Sequence, residues 1–288
     1  LLGDVALDQY LAGLRQRSTV TSEERAVRYP QFVTEVLQGD LPGSSAHGEH
    51  PKFATLLQDQ NVSTPVIVKF SPTLDTQVGQ RWGDLLVAEH LAHAQLCAAN
   101  VPACTSQIHT IANRRFLEVV RFDRSGREGR IGVSSLSAID TGFYGRLDSW
   151  IESAARLHAS GFITAETLEQ IRLVATFGTL IANTDQHFGN LAFLDRYDGS
   201  FALAPIYDML PMLFAPQHDQ IVARTFDPPH PTANTLRAWG RARDMAERYW
   251  ATLADNTLIS EQFRAIAAAC FRTLQETARL RSPTPVSG

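Results

Sequence analysis

Hydrophobic and polar positions follow two different periods along this chain, and the change from one to the other predicts its layout. Residues 4–16 carry Leu7, Leu11 and Leu14 at helical spacing behind Asp4, a residue suited to a helix cap. Thr21-Ser22-Glu23-Glu24 has capping-box form and opens a helix towards Leu37. Small residues from Gly43 to Lys52 then break the pattern. Phe53–Leu57 reads as a short strand, and Val66-Ile67-Val68-Lys69-Phe70 as a β-branched strand that ends before Pro72. Arg81 to Ala99 has the period of a long amphipathic helix. Ser106–Ile111 and Arg115–Phe122 read as strands joined by a turn at Ala112-Asn113-Arg114.

Beyond Asp123 the texture changes. Arg124–Gly132 is a polar loop, and Leu147–Ala159 and Ala165–Ala182 are apolar helices. Leu191–Asp195 and Phe201–Ala204 form a hairpin around Asp198-Gly199. Leu210–Pro231 is irregular and proline-rich. Helices near Asn234–Asp255 and Ser260–Arg281 precede a Pro-bearing tail. The expectation is an α+β chain of two lobes: a small β-rich lobe over 1–123 and a mostly helical one over 124–288.

Composition narrows the function classes. With 288 residues, 44% hydrophobic and 19% charged, the chain suits one large domain or two lobes. A net charge of −4 argues against a broad nucleic-acid-binding surface. Three cysteines, Cys97, Cys104 and Cys270, are too few for a disulfide framework, and Cys97 and Cys104 lack zinc-ligand spacing. No apolar run approaches the ~18 residues of a membrane span and no signal peptide is visible, so a cytoplasmic location is expected. The first residue is Leu1 rather than methionine, which reads as a processed or trimmed chain.

The chemistry concentrates in Asn183-Thr184-Asp185-Gln186-His187-Phe188-Gly189-Asn190. Asp185 and Asn190 have the D-x-x-x-x-N spacing of a phosphoryl-transfer loop, in which the Asp orients the attacking hydroxyl and the Asn holds magnesium. Asp208, returned by the hairpin, completes a metal site of the sparse kind magnesium favours. Lys69 lies within a run of Val, Ile and Phe and needs a partner; Glu89 on the following helix supplies one. Gly43–Gly48 offers small residues and backbone amides to an anion. A base-binding hinge falls at Glu118–Asp123, through backbone groups of Val120 to Phe122. His187 is placed to hydrogen-bond Asp185 or the loop backbone. His90 and His93 share a helix face without a metalloprotease motif. The four tryptophans suit core or interface positions rather than nucleotide stacking.

In this order the parts resemble a HipA-family serine/threonine kinase, the toxin half of bacterial toxin–antitoxin pairs, and within it the YjjJ-like branch. Matching blocks are Gly43–Phe53, Ile67-Val68-Lys69-Phe70, Arg121-Phe122-Asp123-Arg124, Asn183–Asn190 and Tyr207-Asp208-Met209-Leu210-Pro211. The resemblance implies a two-lobed protein-kinase-like fold that uses ATP and Mg²⁺. It implies Lys69 on the ATP phosphates with Ser45, Ala46, His47 and Gly48 around them, Asp185 as catalytic base, and Asn190 and Asp208 on magnesium. It further implies autophosphorylation at Ser45 or Ser44, an aminoacyl-tRNA synthetase as protein substrate, and a DNA-binding antitoxin partner. Departures are His47 in place of the usual glycine, His50 in place of glutamine, Gln186 where the family often has an acidic residue or glycine, and a family N-terminal segment that is shortened or absent. Two competing readings share some of these parts: a small-molecule phosphotransferase of the same broad fold, and a non-catalytic module that kept the kinase shape.

Overall fold

In the computed structural model of the chain, residues 19–39, 50–60 and 62–279 are described. The helix expected over 4–16 and the loop carrying Ser44, Ser45, Ala46, His47 and Gly48 lie outside them.

The first half builds a five-stranded sheet from β1 (Thr19–Val20), β2 (Lys52–Asp59), β3 (Val62–Phe70), β4 (Ser106–Ile111) and β5 (Arg114–Val120). Their spatial order is β1-β2-β3-β5-β4, and only the β1–β2 pair is parallel. The register sets Lys69 opposite Leu117 on one neighbour and Lys52 on the other. Helix α1 (Arg25–Gln38) buries Tyr29, Phe32, Val33 and Val36 against Phe53, Phe70 and Phe116. Its capping box forms as the sequence predicts: the Thr21 amide donates to Glu24 Oε2 at 2.9 Å and the Glu24 amide to Thr21 Oγ1 at 3.3 Å.

Helix α2 (Gln77–Ala98) begins four residues before the expected Arg81. Thr76 caps it by accepting from the Gly79 amide at 3.0 Å. A Cβ at Gly79 would sit 1.9 Å from the Thr73 carbonyl oxygen, so the capping turn requires glycine. That glycine lowers helix propensity and hides the start from a periodicity reading. Most of the apolar face of α2, including Leu85, Ala88, Ala92 and Leu96, belongs to the large core of the helical half.

That half holds a short pair, β6 (Arg124–Ser125) with β7 (Gly129–Arg130), inside the expected loop. Then come β8 (Val133–Ser135), α3 (Leu136–Phe143), α4 (Trp150–Ala159) and α5 (Ala165–Leu180). Helix α3 was not expected; Ser135 caps it through the Ala138 amide, but its eight residues are too short to show a period. The hairpin β9 (Ala192–Asp195) and β10 (Phe201–Leu203) pairs on its open edge with β8. Helices α6 (Leu236–Asp255) and α7 (Glu261–Arg279) close the fold. Trp250 donates through Nε1 to the Leu180 carbonyl at 3.1 Å, and Tyr249 to the Ala88 carbonyl at 3.1 Å. Both are core residues, with Trp150. No helix among the described residues is long and apolar enough to cross a membrane.

Candidate active site

The short loop Ile181–Asn183 that leaves α5 turns through Ala182 at φ +59°. Asn183 follows, buried, and its Oδ1 accepts from the Asp185 amide at 3.0 Å. This asparagine-nucleated turn presents the Asp185 carboxylate to an open cleft, with the side chain about half exposed (49%). Asn190 is buried and donates through Nδ2 to the Asp185 carbonyl at 2.9 Å, leaving Oδ1 for another group. Gln186 lies flat on Gly178 and donates to Thr179 Oγ1 and the Asn183 carbonyl, both at 3.3 Å, so it braces the loop from beneath. His187 turns to its own loop: Nδ1 accepts from the Gly189 amide at 3.0 Å, while Nε2 stands 4.0 Å from Asp185. The Trp150 indole donates to the His187 carbonyl at 3.1 Å.

Asp208 arrives on the strand-like segment after β10. The Ile206 amide bonds the Pro102 carbonyl at 2.9 Å and the Cys104 amide bonds the Ile206 carbonyl at 3.0 Å. These bonds tie the segment to the connection ahead of β4. Asp208 itself adopts φ +52°, a left-handed conformation that costs a non-glycine residue and turns its carboxylate towards the sheet.

There it meets Lys69. The ammonium donates to both Glu89 oxygens at 2.7 and 2.8 Å and to Asp208 Oδ1. Burial alone would weaken the charged form of Lys69, but the carboxylates of Asp208 and Glu89 hold its pKa above the ordinary value. Burial would raise Asp208, yet the Lys69 ammonium holds it below the usual carboxylate range. Glu89 is buried more completely and its pKa is raised in spite of Lys69.

These three residues form a wall shared by two spaces. On one side lies a cavity of about 630 Å³, lined by Ile67, Val119, Val120, Phe122 and Ala192. Phe122 stacks on Tyr207, with centroids 5.9 Å apart and planes inclined by 29°. Tyr207 donates to the Gly189 carbonyl at 2.6 Å, linking this floor to the catalytic-type loop. On the other side, an outer cleft of about 510 Å³ is reached by Asp185, His187, Asn190, Trp82 and His50.

The hinge residues divide. The Val120 and Arg121 amides are committed to the Thr105 and Pro65 carbonyls, each at 2.9 Å. The Phe122 amide has no backbone partner among the described residues, which leaves it for a base edge. Glu118 is no part of the cavity. It faces α1, held by Arg25 at 2.8 and 3.1 Å and by the Tyr29 hydroxyl. Side chains alternate across a strand, so a hinge read as a continuous stretch included one residue of the wrong face. Asp123 is clasped by Arg121 at 2.8 and 2.6 Å and by Arg124 at 2.6 Å.

The structure thus brings together Lys69, Glu89, Val120, Phe122, Asp185, His187, Asn190 and Asp208. Asn183 and Tyr207, which join the two halves of the site, carry no charge and were visible only as neighbours of the acidic residues. His90 and His93 instead share the Ser106 hydroxyl, at 3.0 and 3.1 Å. Among the described residues no cluster of three or more His, Cys, Asp or Glu side chains is arranged to hold a metal.

The sequence profile of the HipA-like C-terminal domain matches residues 44–278. The chain belongs to the HipA family. This HipA-like chain is 38% identical over 252 residues to Toxin YjjJ of Escherichia coli (strain K12), a match covering 85% of the chain. It spans 56% of that relative's length. Its fold is shared with HipA from Shewanella oneidensis MR-1, solved with HipB and operator DNA, at a TM-score of 0.56 and 15% identity over 87% of this chain and 70% of that one. It is shared also with the Helicobacter pylori proinflammatory kinase CtkA, at a TM-score of 0.50 and 13% identity over 82% and 94%. The α+β, two-lobed kinase-like fold expected from the sequence is therefore the fold of this HipA-like domain.

Proposed function

We propose that this domain is an ATP- and Mg²⁺-dependent protein serine/threonine kinase acting as the toxin of a HipA-type toxin–antitoxin pair. The observation that carries the reading is the position of Lys69, held by Glu89 and Asp208 where the inner cavity meets the cleft of Asp185 and Asn190.

The residues fit Mg-ATP. The inner cavity has the size and the mixed lining expected of a small-molecule site, and the Phe122 amide is free for a purine edge. Asp208 and the free Oδ1 of Asn190 would hold the magnesium, with the remaining positions left to phosphate oxygens and water, as a sparse donor set requires. When bound, magnesium neutralises charge on the β- and γ-phosphates. Lys69 contacts the phosphates while Glu89 keeps its side chain directed at them. Asp185 accepts a hydrogen bond from the substrate hydroxyl and takes its proton as the hydroxyl oxygen bonds the γ-phosphorus, the bond from that phosphorus to the bridging β–γ oxygen breaks, and ADP leaves with the electron pair. Asn183 and Gln186 fix the loop that aims it. An aminoacyl-tRNA synthetase is the protein substrate the family resemblance suggests, and Ser44 or Ser45 the site of self-modification. An antitoxin that binds DNA would be the partner.

Labelled ATP with Mg²⁺ tests the reading. Label on a serine or threonine of the chain, or of lysate proteins, that disappears in Asp185→Ala is the expected result. Phosphoproteomics after induced expression would then name the substrate. Nucleotide binding with no transfer to any protein or small molecule would replace the kinase with a non-catalytic module.

A further inference from the structure

The outer cleft is lined by four carboxylates, Glu89, Asp185, Asp208 and Asp219, and among the described residues by one ammonium, that of Lys69. Lys69 is already engaged by Glu89 and Asp208. Lys52 pairs with Lys69 in the register of β2 and β3 but does not line the cleft. Asp185 meets His187 Nε2 at 4.0 Å, and neither Asp185 nor Asp219 has a Lys or Arg partner among the described residues. The same cleft has an apolar wall of Trp82, Leu210, Met212, Ala215 and Pro216.

Asp219 is held in a tight turn. Gln217 and Gln220 exchange backbone bonds of 2.9 and 3.0 Å around two residues. Those residues, His218 and Asp219, are left-handed at φ +48° and +58°, as such a hairpin requires. Arg224 braces the turn by donating to Gln217 Oε1 at 2.9 Å. Asparagine would make the same turn, so the backbone does not call for a carboxylate. The nucleotide does not call for one either, because a further unpaired carboxylate repels its phosphates.

We propose that the cleft selects its acceptor by chemistry: a polypeptide segment whose serine or threonine is flanked by an apolar side chain, seated on that wall, and by a lysine or arginine, paired with Asp219. The proposal rests on the kinase reading and names the class of its second substrate. A cation on the acceptor relieves the repulsion among the unpaired carboxylates. Its fixed distance from the hydroxyl also favours one register of the segment against Asp185. An acidic segment would instead add like charge to the cleft and be rejected. Asp219 is thus a specificity-determining residue with no part in the transfer itself.

Mapping of labelled sites after incubation with Mg²⁺ and ATP tests this, on a proteome-derived peptide library and on intact lysate proteins side by side. Wild type is compared with Asp219→Asn, which suits the left-handed turn and carries no charge. Around the labelled serines and threonines, wild type is expected to enrich one apolar position and one Lys or Arg position. Asp219→Asn is expected to lose the second enrichment and keep the first, a selective loss that damage to the fold would not produce. In a matched peptide pair, replacing the cation by alanine should raise KM up to about fivefold for wild type with kcat little changed, as suits an exposed ion pair. The same replacement should leave KM unchanged for Asp219→Asn. Labelled sites without a Lys or Arg preference, or a preference that Asp219→Asn retains, overturn the proposal and leave the kinase reading standing. No labelled site in either sample overturns both.

Discussion

Lys69 occupies the place where a divalent cation would be drawn, since its ammonium already contacts Asp208. Two predictions follow from that competition. In Lys69→Met, if Lys69 has its proposed role, nucleotide affinity should fall by at least about tenfold, since a phosphate contact of that kind is worth ~1.5–3 kcal/mol. Mn²⁺ without nucleotide, counted by electron paramagnetic resonance, should bind more tightly than in wild type, because no ammonium stands against the carboxylate. Asp185→Ala should leave nucleotide affinity within a few-fold and cut transfer by roughly 10²–10⁴, the ordinary contribution of a positioned base; equal transfer by wild type and variant would remove Asp185 from its assigned role. The Lys69–Glu89 pair was legible in sequence, because a lysine within Val, Ile and Phe must find a counter-charge. The contact with Asp208 was not, because it depends on a left-handed turn that aspartate rarely signals. Nor was the place of His50 at the cleft, which depends on packing against Trp82, a residue far along the chain on α2.

At the scale of elements, two attachments decide whether the parts meet. The first joins α1 to the sheet through Glu118, Arg25, Tyr29 and, at 3.6 Å, His109. Burial opposes the Glu118 charge, but the nearby His109 ring and the hydrogen bonds from Arg25 and Tyr29 prevail and bring its pKa down to about 2. A depressed folded-state pKa means that the stabilisation is present above the ordinary glutamate value and is lost as pH falls towards about 2. Glu118→Gln should therefore cost about 2–4 kcal/mol near neutrality, by leaving Arg25 unpaired. The gap from wild type in urea midpoint should close as the acid limit is approached. The second attachment seats Gln186 on Gly178, where a Cβ would stand 3.0 Å from the Gln186 amide carbon. Gly178→Ala should favour helix α5 by up to ~1 kcal/mol yet displace the loop, so that transfer falls while thermal stability holds. Among elements, the strands around Lys69 and the helices from Ala165 onward were readable because they are long and periodic. Helix α3 and strand β8 were not, since each is fixed by contacts with the β9 hairpin rather than by its own pattern.

For the whole molecule, the sequence pattern suggested a cut near Asp123, whereas packing distributes α2 differently. Its residues Leu85, Ala88, Ala92 and Leu96 sit in the core that contains Phe177, Tyr249 and Trp250. Lys69 rides on the sheet, which has a separate apolar cluster beneath α1. The two ends of the Lys69–Glu89 bond are thus rooted in different cores. That makes the bond a gauge of relative displacement: rotation of the sheet against the helices would lengthen it before disturbing either interior. A spin-label pair on exposed positions of the two cores, such as Val27 and Arg237, would register such rotation as a broadened distance distribution without nucleotide and a narrow one with it. The same rooting would give the proposed nucleotide a mechanical role. A ligand wedged between Phe122 on one side and Asp208 on the other would add a splint to the bonds that Cys104 and Pro102 make with Ile206 across the same boundary.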